Sequence, residues 1–288
     1  MEFVRPDTLE EALAAKAERP GAVPLAGGTD VMVELNYDHR RPEALLDLTR
    51  IAELATWSAS GGHVRLGAGV PYTRLIDELG DTLPGLAMAS RTVGSPQIRN
   101  RGTVGGNLGA ASPAGDTHPV LLAAGAEIEV ASVRGVRRIP AEEFYTGVKR
   151  NALAADELIT AVHLPTEAAP AEQFSKVGTR NAMVIAVCSF ALVLRDGHVG
   201  AAIGSAAPTP RRVPDAEAFL AAELPWGTDA PLLDSLKRRF GELVAAATEP
   251  IDDVRGTAEY RTHALGVLAR RTLTWAWDDH RGSVRACA

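Results

Sequence analysis

RNRGTVGGNLGAASPAGD, residues 99–116, holds five glycines in eighteen positions, no histidine or cysteine, and a single acid, Asp116. Glycine loses more conformational freedom on folding than any other residue. A cluster of this kind persists where the chain must turn sharply or where something must approach the main chain closely. A second cluster, LAGGTDV at 25–31, follows a brief apolar strand expected over Val23–Ala26 and leads into a helical pattern beginning at Thr29 or Asp30. Strand, glycine turn and helix start together expose amide donors that attract an anion, and two such turns folded together grip both halves of a pyrophosphate. Taken singly, each also reads as a plain structural turn.

The neighbouring side chains bear on that choice. Thr29, Thr103 and Asn107 are short, neutral hydrogen-bonding groups that do not repel phosphate. Asp116 does repel it, and has two readings: an acceptor for sugar or ribityl hydroxyls close by, or a cap for the helix expected over HPVLLAAG.

Outward from the two clusters, the pattern is α+β. TLEE at 8–11 is a capping box that opens a short helix running to about Arg19. EALLDL and HVRLGAGV read as strands, and PYTRLIDELG and LPGLAMASRTV as helices that begin near proline. An apolar helix follows the glycine loop, then a hairpin around Arg134 and Gly135, then the strand DELITAVHLP stopped by Pro165. TEAAPAE, 166–172, has the composition of a linker. Beyond it the pattern predicts an apolar stretch at 182–194, a hairpin turn at Asp196 and Gly197, and two or three helices, the last over AEYRTHALGVLARRTLTWAW.

Several chemistries are excluded. A net charge of −6 with interspersed acids and bases gives no basic stripe for nucleic acid. The histidines are scattered, and neither Cys-x-x-Cys nor His-x-x-x-His spacing occurs, so no metal or iron–sulfur cluster is expected in this chain. Ser112 lies in a Ser-Pro turn rather than a nucleophile elbow. In LGAGVPYTRL the third glycine of a dinucleotide fingerprint is a tyrosine. Cys188 in an apolar run and Cys287 near the end do not suggest a disulfide. No leader and no transmembrane segment is legible, so the expected location is cytoplasmic.

In order and spacing, PLAGGTDVMVEL, SPQIRNRGTVGGNLGAASPAGDTHPVLLAAGAEI and ALAADELITAVHLP together resemble the FAD-binding subunit of molybdenum-containing hydroxylases. That family includes the medium subunits of carbon monoxide dehydrogenase and bacterial xanthine dehydrogenase. FSKVGTRNAMVIAV and VRGTAEYRTHALGVLARRTL resemble the C-terminal domain of the same subunits. The resemblance implies an FAD-binding domain of the vanillyl-alcohol-oxidase or p-cresol-methylhydroxylase type over 1–168, with subdomains of about 1–56 and 57–168. A C-terminal α+β domain of sheet and helices would follow over 169–288.

Residue by residue, it implies cofactor contacts from Leu25, Ala26, Gly27, Gly28, Thr29, Asp30 and Val31, and from Thr103, Val104, Gly105, Gly106 and Asn107. To these it adds an apolar contact at Val93, a hydroxyl-binding carboxylate at Asp116, Leu158 near the flavin and Lys176 from the C-terminal domain. By chemistry alone, a lone lysine is more often a solvated surface charge. No catalytic acid or base is implied, because the cofactor carries the chemistry.

The resemblance also implies partners: a small subunit with two [2Fe–2S] clusters and a large subunit with a molybdenum-pterin cofactor, assembled as a dimer of heterotrimers. Electrons would reach FAD from the clusters and leave to NAD⁺, a quinone or another acceptor. One departure concerns that acceptor: many xanthine-oxidising relatives carry Asp-Ile-Ala where this chain has Val184-Ile185-Ala186. Two other readings stay open at this point, a self-sufficient FAD-dependent oxidase or reductase and a nucleotide-binding assembly module.

Overall fold

The computed structural model describes residues 1–166, 171–195 and 197–287, with side chains described through Gly282. The chain separates into two compact units whose segments interleave along the sequence. One comprises Met1–Glu78, Ser95–Ser112 and Ala126–Pro165, the other Leu79–Gly94, Pro113–Gly125 and Thr166–Ala288.

The first unit contains a three-stranded parallel sheet in the order Glu2–Val4, Ala44–Asp47, Val23–Leu25. Parallel strands need a crossover, and the Leu9–Glu18 helix lies in the one that carries the chain from Glu2–Val4 past the central position to Val23–Leu25. Thr8 caps that helix by accepting from Glu11 N–H at 3.2 Å, while the Glu11 carboxylate reaches back to accept from Asp7 N–H at 2.9 Å. The central strand is buried along its length, and Leu46 packs with Ala12, Ala22, Ile51, Leu54 and Leu158.

The same unit holds a five-stranded antiparallel sheet, ordered Trp57–Ser60, His63–Gly67, Leu158–Pro165, Glu127–Ser132, Gly135–Pro140. Its middle strand, LITAVHLP, is buried at every position but the last, the polar Thr160 and His163 included. Its pairing with Glu127–Ser132 is interrupted by a bulge between Ile159 and Ala161.

In the second unit an antiparallel sheet runs Ala171–Val177, Cys188–Arg195, His198–Gly204, Arg211–Arg212. The Pro84–Thr92 helix packs against its first strand, and the His118–Ala123 helix against its third. Helices Pro214–Glu223, Asp234–Ala246 and Ala258–Cys287 complete the unit. Its core is built around Phe190, Phe240, Leu265, Leu273 and Trp277, with the two phenylalanine rings edge to face at 6.0 Å.

The α+β architecture is as expected, with local corrections. The last helix continues ten residues past the expected end at Trp277, because nothing in DDHRGSVRAC stops it apart from a tolerated Gly282. Of the expected linker 166–172, residues 167–170 lie outside the described residues, and Ala171 and Glu172 already belong to a strand. Asp196 of the expected hairpin turn also lies outside them, but its flanks Arg195 and His198 are paired. No helix among the described residues is long and apolar enough to cross a membrane.

Candidate functional site

In the first unit the Val23–Leu25 strand ends one residue earlier than its pattern implied, and the chain turns through Ala26–Asp30 into a helix over Val31–Asn36. A Cβ on Gly27 would stand 1.9 Å from the Arg101 carbonyl oxygen and 2.9 Å from Gly102 N. The two glycine clusters therefore meet backbone to backbone, an approach no side chain permits. Gly28 makes the turn itself at φ +76°.

The N–H groups of Ala26, Gly27, Gly28, Thr29, Asp30 and Val31 find no acceptor among the described residues. Most main-chain donors in a folded protein are paired, and five of these six residues are half-buried. A row of six unspent donors in one turn is a concave array of partial positive charge, suited to an anion with several oxygens. The Asp30 carboxylate is exposed and makes no capping bond, so it leaves these amides uncovered.

The second cluster behaves differently. Thr103 caps a helix over Val104–Ala110, its hydroxyl oxygen accepting from Gly106 N–H at 2.9 Å and its carbonyl from Asn107 N–H at 3.0 Å. Gly105 N–H donates to the Ala68 carbonyl at 3.2 Å, and a Cβ on Gly105 would lie 2.5 Å from Ala68 Cβ. Three of its amides are thus spent internally, and Gly105 is glycine because Ala68 leaves no room. Gly106, by contrast, is exposed. Leu158, from the same unit, is 1% exposed inside the core of the parallel sheet, so only its backbone is left to meet a ligand.

The second unit carries the charged candidates. Lys176, on the Ala171–Val177 strand, places Nζ 2.6 Å from Asp116 Oδ2 and 3.3 Å from the Thr92 carbonyl oxygen. Thr92, the last residue of the Pro84–Thr92 helix, sets its hydroxyl 2.9 Å from the same Oδ2 and 2.8 Å from the Ala89 carbonyl. Asp116 is 7% exposed and the Lys176 side chain 8%, which overturns the reading of Lys176 as a solvated charge.

The helix after Asp116 has Thr117 as its N-cap, and Asp116 spends neither oxygen on it, Oδ2 being held by Lys176 and Thr92. Its second oxygen, Oδ1, is buried and meets no partner. Burial pushes the Asp116 carboxyl above its usual range, against the pull of Lys176 and the Thr92 hydroxyl. An ion-paired carboxylate with one spare, desolvated oxygen is a strong acceptor awaiting a hydroxyl or amide. Val93, half-buried, follows Thr92 as the C-cap of that helix, its N–H donating to the Ser90 carbonyl.

Sequence reasoning missed Thr92 and Arg101. The first does its work through spatial neighbours, and the second through its backbone alone, so neither leaves a local signal. Among the described residues no group of histidines, cysteines and acids is arranged to hold a metal. Cys188 is buried, and that burial pushes its thiol up to about 12.

Comparisons with known proteins bear on this geometry. Residues 1–167 match the family described as the FAD binding domain in molybdopterin dehydrogenase, and residues 173–276 match the CO dehydrogenase flavoprotein C-terminal domain. The chain is 32% identical over 286 residues to the xanthine dehydrogenase FAD-binding subunit of Escherichia coli O157:H7, covering 95% of each. It is 31% identical over 279 residues to the nicotine 6-hydroxylase medium subunit of Paenarthrobacter nicotinovorans, covering 95% of this chain and 96% of that one. A solved structure of carbon monoxide dehydrogenase from Hydrogenophaga pseudoflava, lacking the Mo-pyranopterin moiety of its molybdenum cofactor, matches with a TM-score of 0.91. It is 29% identical over 97% of this chain and 98% of that one.

Proposed function

The chain belongs to the FAD-binding subunits of the molybdopterin dehydrogenases, and from that premise we propose that it is the last relay station of a multi-subunit molybdenum hydroxylase. Its cofactor is FAD and its class is oxidoreductase, as the flavoprotein component of such enzymes. In the proposal, a large subunit with a molybdenum-pterin cofactor oxidises the organic substrate and a small subunit carries the electrons over two [2Fe–2S] clusters. They leave through FAD to NAD⁺, a quinone or another acceptor. The assembly is a cytoplasmic dimer of heterotrimers, and the chain divides functionally into an FAD-binding domain, 1–168, and a C-terminal domain, 169–288.

The residues present fit FAD. The observation that carries the reading is the row of unspent amides from Ala26 to Val31, which suits the diphosphate of a dinucleotide. The buried Oδ1 of Asp116 suits a sugar or ribityl hydroxyl.

When bound, FAD supplies the electron-accepting chemistry, and the protein contributes binding and orientation. In this proposal the 26–31 amides hold the diphosphate and the Thr29 hydroxyl adds a neutral donor. Thr103, Val104, Gly105, Gly106 and Asn107 form a second wall, in which Gly105 keeps the backbone close to Ala68 and exposed Gly106 offers a surface without a side chain. Leu25 and Val93 give apolar contacts, Leu158 contributes backbone, and Lys176 opposes the upward shift that burial imposes on Asp116, favouring the carboxylate form that accepts.

The test is anaerobic. The complex, co-expressed with its iron–sulfur and molybdenum subunits, is mixed with candidate organic substrates while the flavin absorbance is followed, beside the isolated chain. Bleaching in the complex alone is expected. Bleaching of the isolated chain by an organic substrate would refute the relay.

A further inference from the structure

The three-residue node around Asp116 contains a group that the cofactor reading does not use. Thr92 brackets the buried ion pair from both sides: its carbonyl oxygen accepts from Lys176 Nζ at 3.3 Å, and its hydroxyl lies 2.9 Å from Asp116 Oδ2. Lys176 and Thr92 address the same carboxylate oxygen from different elements, so Oδ1 is the oxygen left over.

An ammonium on a four-carbon stem is a mobile point charge and fixes distance better than angle. A hydroxyl one carbon from the main chain, at the end of a helix packed on the sheet, fixes the plane of the carboxylate. The Thr92 hydroxyl has one proton and two acceptors within reach, the Asp116 carboxylate and the Ala89 carbonyl at 2.8 Å. The charged acceptor makes the stronger bond, so the proton goes to Asp116 while that group is ionised.

We infer that Thr92 is a positioning residue for FAD binding: it holds the Asp116 carboxylate so that Oδ1 points at a ligand hydroxyl, and it does not itself touch the cofactor. This rests on the reading that Asp116 accepts from FAD.

FAD affinity of the full chain, freed of flavin and titrated by visible absorbance and fluorescence, tests it on T92V, T92S, D116A and T92V/D116A, with T92A as a second variant should T92V not fold. T92V is nearly isosteric, keeps the backbone carbonyl and removes only the hydroxyl. The loss of one hydrogen bond to a charged group should weaken binding about tenfold. T92S restores the donor and should bind within about twofold of wild type. In the D116A background the Thr92 substitution should change affinity less than about twofold, because its effect is routed through Asp116. Equal losses in both backgrounds, or T92V binding like wild type while D116A binds weakly, would overturn the inference and leave the FAD reading standing. D116A binding as tightly as wild type would overturn both.

Discussion

Gly27→Ala tests the backbone contact on which the site is built. The added Cβ would sit 1.9 Å from the Arg101 carbonyl oxygen, whereas favourable heavy-atom contacts begin near ~3.5 Å, so something must move by roughly 1.5 Å. The opposing atom is a carbonyl fixed in the chain, with Gly102 N 2.9 Å from the same Cβ, so no side-chain rotation relieves the clash. Overpacking typically costs about 1–3 kcal/mol, and the backbone setting points to the top of that range. For a protein of this size the top of that range corresponds to a thermal midpoint lower by about 5 °C.

The control is Gly21→Ala, where a Cβ meets nothing within 4 Å and φ is not positive. That substitution should change stability by no more than about 1 kcal/mol, in the stabilising direction. Thermal and urea unfolding of both variants, followed by FAD titration, would measure the effect. G27A should also lose FAD affinity by about tenfold or more, because displacing the turn disperses its amides. If G27A unfolds like G21A and binds FAD like wild type, the meeting of the two glycine clusters is not as described.

Three further predictions concern ionisable groups. Burial pushes the Cys188 thiol up to about 12, so at pH 8 only about one part in ten thousand is thiolate; iodoacetamide should label it after unfolding and not before. Burial raises Glu129, but hydrogen bonds from Arg65, His163 and Thr160 outweigh it and hold the carboxyl at about 2, below its ordinary 4.5. A depressed folded-state value means the carboxylate stabilises the protein above pH 4.5 and that contribution is lost as pH falls towards 2. Acid unfolding of E129Q should therefore show a flatter limb across this window than wild type, and parallel curves would exclude it. Lys176→Met leaves the Asp116 carboxylate buried without its counter-ion, which should cost about 3–5 kcal/mol in urea unfolding. The D116N/K176M double variant should recover much of that loss.

The sequence disclosed elements whose signals are local. TLEE read directly as a cap because both of its hydrogen bonds fall within five residues. LITAVHLP read as a strand because it is buried on both faces. The Trp57–Ser60 strand had a signal that went unused: Gly61 and Gly62, at φ +56° and +75°, form the tight turn that pairs it with His63–Gly67.

Other features had no local signal. Gly105 and Gly27 look alike in sequence, yet one exists to pack on Ala68 and the other to let two segments of the chain meet. Asp116 stood equally well as a cap or as an acceptor, and only its distance from Lys176, sixty residues on, decides between them. Thr92 ends an ordinary helix pattern, and its partners are remote in sequence. The resemblance, read from motif order, reached the cofactor and the class of enzyme, which local periodicity could not.

The most direct test of the account is the flavin content of the full chain. The protein is reconstituted with FAD, freed of excess by gel filtration, denatured and read by absorbance of the released flavin. The account predicts one non-covalently held FAD per chain, and a loss of that flavin in G27A and D116A. Protein that stays colourless after reconstitution, or a flavin content unchanged in both variants, would contradict it.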